Sequence, residues 1–169
     1  MVIKKALLLI LTAGLFLLTG CGFYSHTGAS VPVDAKTFSV AYINNVASIV
    51  MPTLSQIMTE KLKTKFINET TLKLAQSDGD IRFSGKILSY TTAPVAVQGN
   101  QQNAVNRLTV TVEITYENTK EEGKNFTQQF TNFVDYPATQ NFASIEADLV
   151  NQVTDILIQD IFNRAFINW

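Results

Sequence analysis

Hydrophobic and polar positions along the chain change period several times, and each change marks an element. Between Thr37 and Ile43, Phe38, Val40 and Tyr42 alternate with Thr37, Ser39 and Ala41, the period of a strand. Asn44-Asn45 then reads as a turn. Pro52 suits the first turn of a helix, and Leu54, Ile57, Met58, Leu62 and Phe66 recur at helical spacing, with Lys61, Lys63 and Lys65 mostly to the other side. The spacing predicts a helix from Pro52 to Asn68. Thr71 to Ala75 reads as a short strand or an extended stretch, and Ser77-Asp78-Gly79-Asp80 as a turn.

Three longer strands follow. The first is Ile81 to Thr91. The second, Arg107 to Glu117, sets Leu108, Val110, Val112, Ile114 and Tyr116 on one face and Thr109, Thr111, Glu113 and Thr115 on the other, half buried and half wet. Glu117 to Gly123 is a charged hairpin turn. In the third strand, Asn125 to Val134, Phe126 and Phe130 share a face and Phe133 is out of phase, which predicts a bulge near Asn132. A final helix runs from Ser144 to Phe166, with Ile145, Leu149, Val153, Ile156, Leu157 and Ile161 on its apolar side and an Asp160/Arg164 pair at i, i+4. The expected fold is α+β, in the order β-α-β-β-β-α. Two helices pack on one face of a four-stranded, mostly antiparallel sheet.

The first twenty residues stand outside this pattern. Lys4 and Lys5 precede an apolar run from Ala6 to Leu18, too short for a mature span but suited to a signal-peptide core. The run ends in Leu18-Thr19-Gly20-Cys21, a lipobox with small residues before the chain's single cysteine. Cleavage before Cys21 and attachment of diacylglycerol to its thiol are expected. Each buried CH₂ of the lipid contributes about 0.8 kcal/mol of membrane affinity, so more than one chain anchors stably. The expected organisation is a signal peptide over 1–20, a lipidated tether over 21–35 and one domain over 36–169.

Charge and chemistry narrow the function. From Cys21 onward eleven basic residues face fourteen acidic ones, a net charge of −3, which leaves no nucleic-acid footprint. The one histidine, His26, lies in the tether, and an acylated Cys21 leaves no thiol. Thiolate and Ser/His/Asp catalysis therefore lack their groups, a metal site would need carboxylates alone, and no cofactor motif appears. Asp78 and Asp80 flank Gly79 without the later ligands of a calcium loop. The chain reads as a binding protein and not an enzyme.

Two features carry alternatives. The uncharged stretch 92–106 contains Pro94, Val95, Val97 and Val105. It is either a surface loop or an element that enters a partner or touches lipid, and its lack of charge favours the second. Arg82 and Lys86 share one strand face, and Arg107 begins the next strand. The set is either a solvated outer face, the better reading, or a patch for phosphates, to which arginine suits bidentate contact.

Four stretches carry a resemblance that spans nearly the whole chain after the lipobox: CGFYSHTGASVPVDAKTFSV, MPTLSQ (51–56), GDIRFSGKILSYTTAPVAVQGNQQNAVNRLTVTV (79–112) and DIFNRAFINW (160–169). With these the chain resembles the lipopolysaccharide-assembly lipoprotein family, LptE, in its Bacteroidetes form. None of the stretches is a catalytic motif. The resemblance implies two helices on a four-stranded sheet and an outer-membrane location facing the periplasm. It also implies a large β-barrel partner, LptD, in which the lipoprotein sits as a plug, assists assembly and helps deliver lipopolysaccharide to the outer leaflet. The family's basic lipopolysaccharide-binding positions do not map residue by residue here, so Arg82, Lys86 and Arg107 stand as this chain's own candidates. The competing function is a free-standing periplasmic module that binds lipid or cell-wall material.

Overall fold

The structure is a computed structural model and describes residue 32 and residues 34–95 and 104–167. The expected signal peptide, Cys21, His26, most of the expected tether and Val97 lie outside the described residues. Six strands and two helices follow one another as β1 (Thr37–Val40), β2 (Asn44–Asn45), α1 (Leu54–Glu69), β3 (Lys73–Leu74), β4 (Ile81–Pro94), β5 (Val105–Asn118), β6 (Phe126–Pro137) and α2 (Phe142–Phe166). A single 3-10 turn, Glu122–Lys124, sits in the β5–β6 hairpin.

The class is α+β as expected, with six strands in place of four. The sheet runs β3-β1-β4-β5-β6, and β2 pairs with β4 beyond the end of β1. The two additional strands are two residues each: β3 lies within Thr71–Ala75, and β2 stands where a turn is expected at Asn44-Asn45. β1, β2 and β3 pair in parallel, while β4, β5 and β6 form an antiparallel meander.

Both helices lie on one face, and a cluster of phenylalanines joins them to it. Phe66 of α1 stacks on Phe83 of β4 with ring centroids 4.4 Å apart and meets Phe162 and Phe166 of α2 at 5.7 and 5.4 Å. Leu108, Val110, Val112 and Ile114 of β5 are fully buried beneath them, and Tyr116 nearly so. Burying a side chain of this size contributes roughly 1.5–3 kcal/mol, so this face drives folding. Thr59 ties α1 to the chain after β1: its hydroxyl donates to the Ser55 carbonyl at 2.7 Å and accepts from the Ile43 amide at 3.1 Å.

Several sequence expectations change. Tyr42 is 56% exposed and Ile43 fully buried, because β1 ends at Val40 and the alternation does not continue through residue 42. The bulge is not at Asn132. β5 and β6 pair without interruption from Val105↔Pro137 to Tyr116↔Phe126. Phe133 lies on the opposite face from Phe130, and the Arg107 guanidinium sits 3.5 Å over its ring. The one register shift falls in β4, where Leu88 is the extra residue between Ile87 and Ser89. Ile156 is 41% exposed and not part of the buried side of α2. Asp160 and Arg164 do not pair with each other. Both reach to β6, Asp160 accepting from Asn132 at 2.5 Å and Arg164 donating to Gln128 at 3.0 Å.

Candidate functional site

The face of the sheet away from the helices carries the sequence candidates. It alternates with the core, so its composition follows from the strand period: Arg82, Ser84 and Lys86 from β4, Arg107, Thr109, Thr111, Glu113 and Thr115 from β5, and Thr127, Gln129, Thr131, Phe133 and Asp135 from β6. No described element covers it. Threonines pair across strands, Thr111 with Thr131 at 3.0 Å and Thr115 with Thr127 at 2.9 Å.

The three cations share this face without meeting. Arg82 opposes Glu117 and Lys86 opposes Glu113, while Arg107 opposes Ala93 at the far end of β5. At about 3.3 Å per residue, Arg107 stands roughly 20 Å from the level of Lys86 and roughly 33 Å from that of Arg82. Each also has an acidic neighbour. Lys86 Nζ lies 3.0 Å from Glu113, and the lysine holds that carboxyl below its ordinary range. Arg107 binds both oxygens of Asp135, at 2.6 and 2.9 Å; Asp135 is lowered and Arg107 raised by that bidentate pair. Arg82 is the least tied. Its Nε donates to the Gly79 carbonyl at 3.2 Å, and its nearest carboxylate, Asp78, is 3.9 Å away. A pocket of about 240 Å³ beside Arg82 is lined by Ser39, Gln76, Asp78, Ser84 and Glu117, so two carboxylates accompany the one guanidinium.

The uncharged stretch is shorter as a loop than its sequence suggests. β4 continues to Pro94, β5 resumes at Val105, and the Val95 amide donates to the Val105 carbonyl at 2.9 Å. Pro94 fits because its missing N–H faces the open edge of β4 and not β5. Pro94, Val95 and Val105 thus form the neck of a hairpin. Beside β4 lies an apolar segment that the sequence pattern did not single out. Val46, Ile49 and Val50 are each more than half exposed, as is Tyr42 just before them. The available signal was the lack of any charged residue from Thr37 to Thr59.

Asp80 holds the start of the domain. Its Oδ2 accepts from the Lys36 and Thr37 amides at 2.9 and 3.1 Å and from the Thr37 hydroxyl at 3.0 Å, and its Oδ1 meets Lys120 at 3.1 Å. The Lys36 amide, followed by Lys120 and Thr37, lowers this carboxyl far below its ordinary value. The residue before it, Gly79, is fixed by space: a Cβ there would lie 2.6 Å from the Phe38 backbone. The Asp78-Gly79-Asp80 turn is therefore a clasp on β1. Among the described residues no three His, Cys, Asp or Glu side chains are grouped to hold a metal. No described helix is long and apolar enough to cross a membrane. The groove between α1 and α2, about 450 Å³, is bridged by Lys61 to Asp155 at 2.6 Å and by Lys65 to Gln159 at 2.5 Å. Lys61 and Lys65 of α1 are thus engaged with α2, while Lys63 pairs with Glu60 of its own helix at 2.9 Å.

Comparison with known proteins places this arrangement. Residues 35–165 match the family model LptE, described as lipopolysaccharide-assembly. No curated protein sequence matches the chain. Among solved structures, a minor lipoprotein of Acinetobacter baumannii has a TM-score of 0.51 at 18% identity, covering 77% of this chain and 91% of its own. A Xanthomonas campestris protein gives 0.54 at 12% identity, covering 82% and 90%. A homologue of a neuraminyllactose-binding hemagglutinin from Helicobacter pylori gives 0.50 at 10% identity, covering 83% and 88%. At these identities the likeness is one of fold alone.

Proposed function

Because the chain belongs to the lipopolysaccharide-assembly family LptE, we propose that it is a lipid-anchored, non-enzymatic subunit of the lipopolysaccharide translocon. In this reading Cys21 carries the diacylglycerol, the domain faces the periplasm from the outer membrane, and the partner is the β-barrel LptD. The chain plugs that barrel, assists its assembly and helps deliver lipopolysaccharide to the outer leaflet. It acts by binding, and needs no cofactor beyond its own lipid.

The observation that carries the reading is the outer sheet face. Threonine dominates it, with Ser84, Gln129 and Phe133, and two of its three cations, Lys86 and Arg107, are paired to cross-strand carboxylates. Such a face suits the polar lumen of a large barrel, where an apolar surface would be poorly hydrated. The hairpin neck at Pro94, Val95 and Val105, with the 96–103 segment beyond it, is the part assigned to reach the lumen wall.

For contact with lipopolysaccharide phosphates, Arg82, Lys86 and Arg107 remain the candidates, with Arg82 first because its carboxylate partner is the most distant. At Lys86 and Arg107 a phosphate must displace Glu113 or Asp135. Changing all three to glutamate is expected to abolish binding of purified lipopolysaccharide; undiminished binding would remove them from the reading.

The test of the barrel reading is co-purification. The chain is tagged at its C-terminus, outer membranes are solubilised in mild detergent, and the partners are identified. A large β-barrel protein in near one-to-one amount is expected. If the lipidated chain comes down alone, the barrel reading fails and a free-standing lipid- or cell-wall-binding module takes its place.

A further inference from the structure

The sheet treats its edges differently. The β3 edge is only two residues long. The upper part of β4 is open on the side away from β5, but it carries the Leu88 bulge and ends in Pro94. Short strands, bulges and proline are the usual means of keeping an edge from pairing with another chain. Up to its closing Pro137, β6 has none of them. It is a twelve-residue edge strand, FTQQFTNFVDYP, in unbroken register with β5, with no lysine or arginine and proline only at its last position. Among the described residues nothing pairs with its outer side.

The backbone direction of that edge follows from one bond. The Ala138 amide donates to the Ala104 carbonyl at 3.0 Å, so even-numbered residues of β6 bond to β5. Thr127, Gln129, Thr131, Phe133 and Asp135 turn their N–H and C=O groups outward. Above the strand, α2 supplies two charged groups already bonded to it: Arg164 at Gln128 and Asp160 at Asn132.

We propose that β6 is the contact between two copies of this chain, each adding to the other as an antiparallel strand about a two-fold axis through Phe130. The sequence is self-complementary in this register. Phe130 meets its counterpart, Phe126 meets the partner's Val134, Gln128 meets the partner's Asn132, and Thr127 meets the partner's Phe133. Hydrogen-bonded pairs fall on outward-facing residues, as the ladder requires: Gln129 with the partner's Thr131, and Thr127 with the partner's Phe133. Since Gln128 carries Arg164 and Asn132 carries Asp160, the axis also brings each Arg164 against the partner's Asp160, twice.

Two alternative arrangements lose this match. Moving the axis to Thr131 sets Gln128 against the partner's Val134 and Phe130 against the partner's Asn132. Parallel pairing in register aligns the Asp135 carboxylates. The inference concerns the free subunit and does not depend on the barrel reading.

The test uses the full-length, lipidated chain in mild detergent. Gln129→Cys and Thr131→Cys are made separately, with different tags, against the parent chain as background. Directly opposed residues of a hydrogen-bonded pair have Cα atoms about 5.5 Å apart, within disulfide reach. Mixed oxidation is expected to give the 129–131 cross-link in preference to either homotypic one. A second measurement, sedimentation, is expected to show Asp160→Arg weakening the dimer at least tenfold and Asp160→Arg with Arg164→Asp restoring it, with cooperative thermal melts showing that both variants fold. Absent or homotypic-only cross-links, or a dimer indifferent to the charge reversal, would overturn the proposal. Loss of the dimer with the barrel still co-purifying would leave the translocon reading intact, and the converse would leave the dimer intact.

Discussion

The two faces of the sheet are built from the same three strands and held by different physics. The inner face is a continuous layer in which Phe66 contacts four other phenylalanine rings, and its worth lies in area removed from water. The outer face is a lattice of pairs: hydroxyl to hydroxyl, Lys86 to Glu113, Arg107 to Asp135. Removing one residue from the first leaves a hole. Removing one from the second leaves a partner that water can largely satisfy. The inner face thus fixes the fold, and the outer face is free to be shaped by what it meets.

The largest expected break in this contrast is Phe66→Ala. It removes the ring shared by both helices and the sheet, and is expected to cost about 3–5 kcal/mol in urea denaturation. A loss below about 1 kcal/mol would mean that the cluster does not organise the core. Next is Asp80→Asn, which breaks the clasp between β1 and β4. Because the Asp80 pKa is lowered on folding, its contribution is complete above the unfolded value of about 3.9 and fades as the pH falls through the folded value. Glu113 and Asp135, also lowered, act in the same direction. Melting temperature is therefore expected to fall on acidification below about pH 4, and less steeply in Asp80→Asn. The smallest effect is assigned to Thr111→Val with Thr131→Val. The exchange replaces both partners of an exposed hydroxyl pair and is expected to leave stability within about 0.5 kcal/mol.

The inner face was legible in the sequence because burial imposes a period. Leu108 to Tyr116 alternate without a fault, and Leu54, Met58, Leu62 and Phe66 keep helical spacing through α1. The outer face was legible as the wet side of β5, but its pairing was not, because that lies in register. Arg82, Lys86 and Arg107 are close in composition and far apart in space, and only the strand pairing shows that Arg107 belongs with Asp135. Phe133 misled for the same reason: an aromatic on a wet face reads as an error of phase until Arg107 is found above it. The bulge was expected at Asn132 and lies at Leu88, where the apolar run Ile87-Leu88 hides the shift. β3 falls inside Thr71–Ala75, read as a short strand or extended stretch, whereas Asn44-Asn45, read as a turn, pairs with β4 as β2 and is too short to carry a period. The wish of Asp160 to pair with Arg164 is a local rule that β6, supplying Asn132 and Gln128, overrides.

The most direct test of the central reading is cross-linking from the outer face in intact cells. A photo-reactive residue replaces Thr109 or Ser84, positions on that face away from the β6 edge, and Lys63 of α1 serves as the comparison. The translocon reading predicts strong adducts with one large β-barrel protein from Thr109 and Ser84. Adducts with no barrel from either position, in cells where the chain is lipidated and folded, would contradict it.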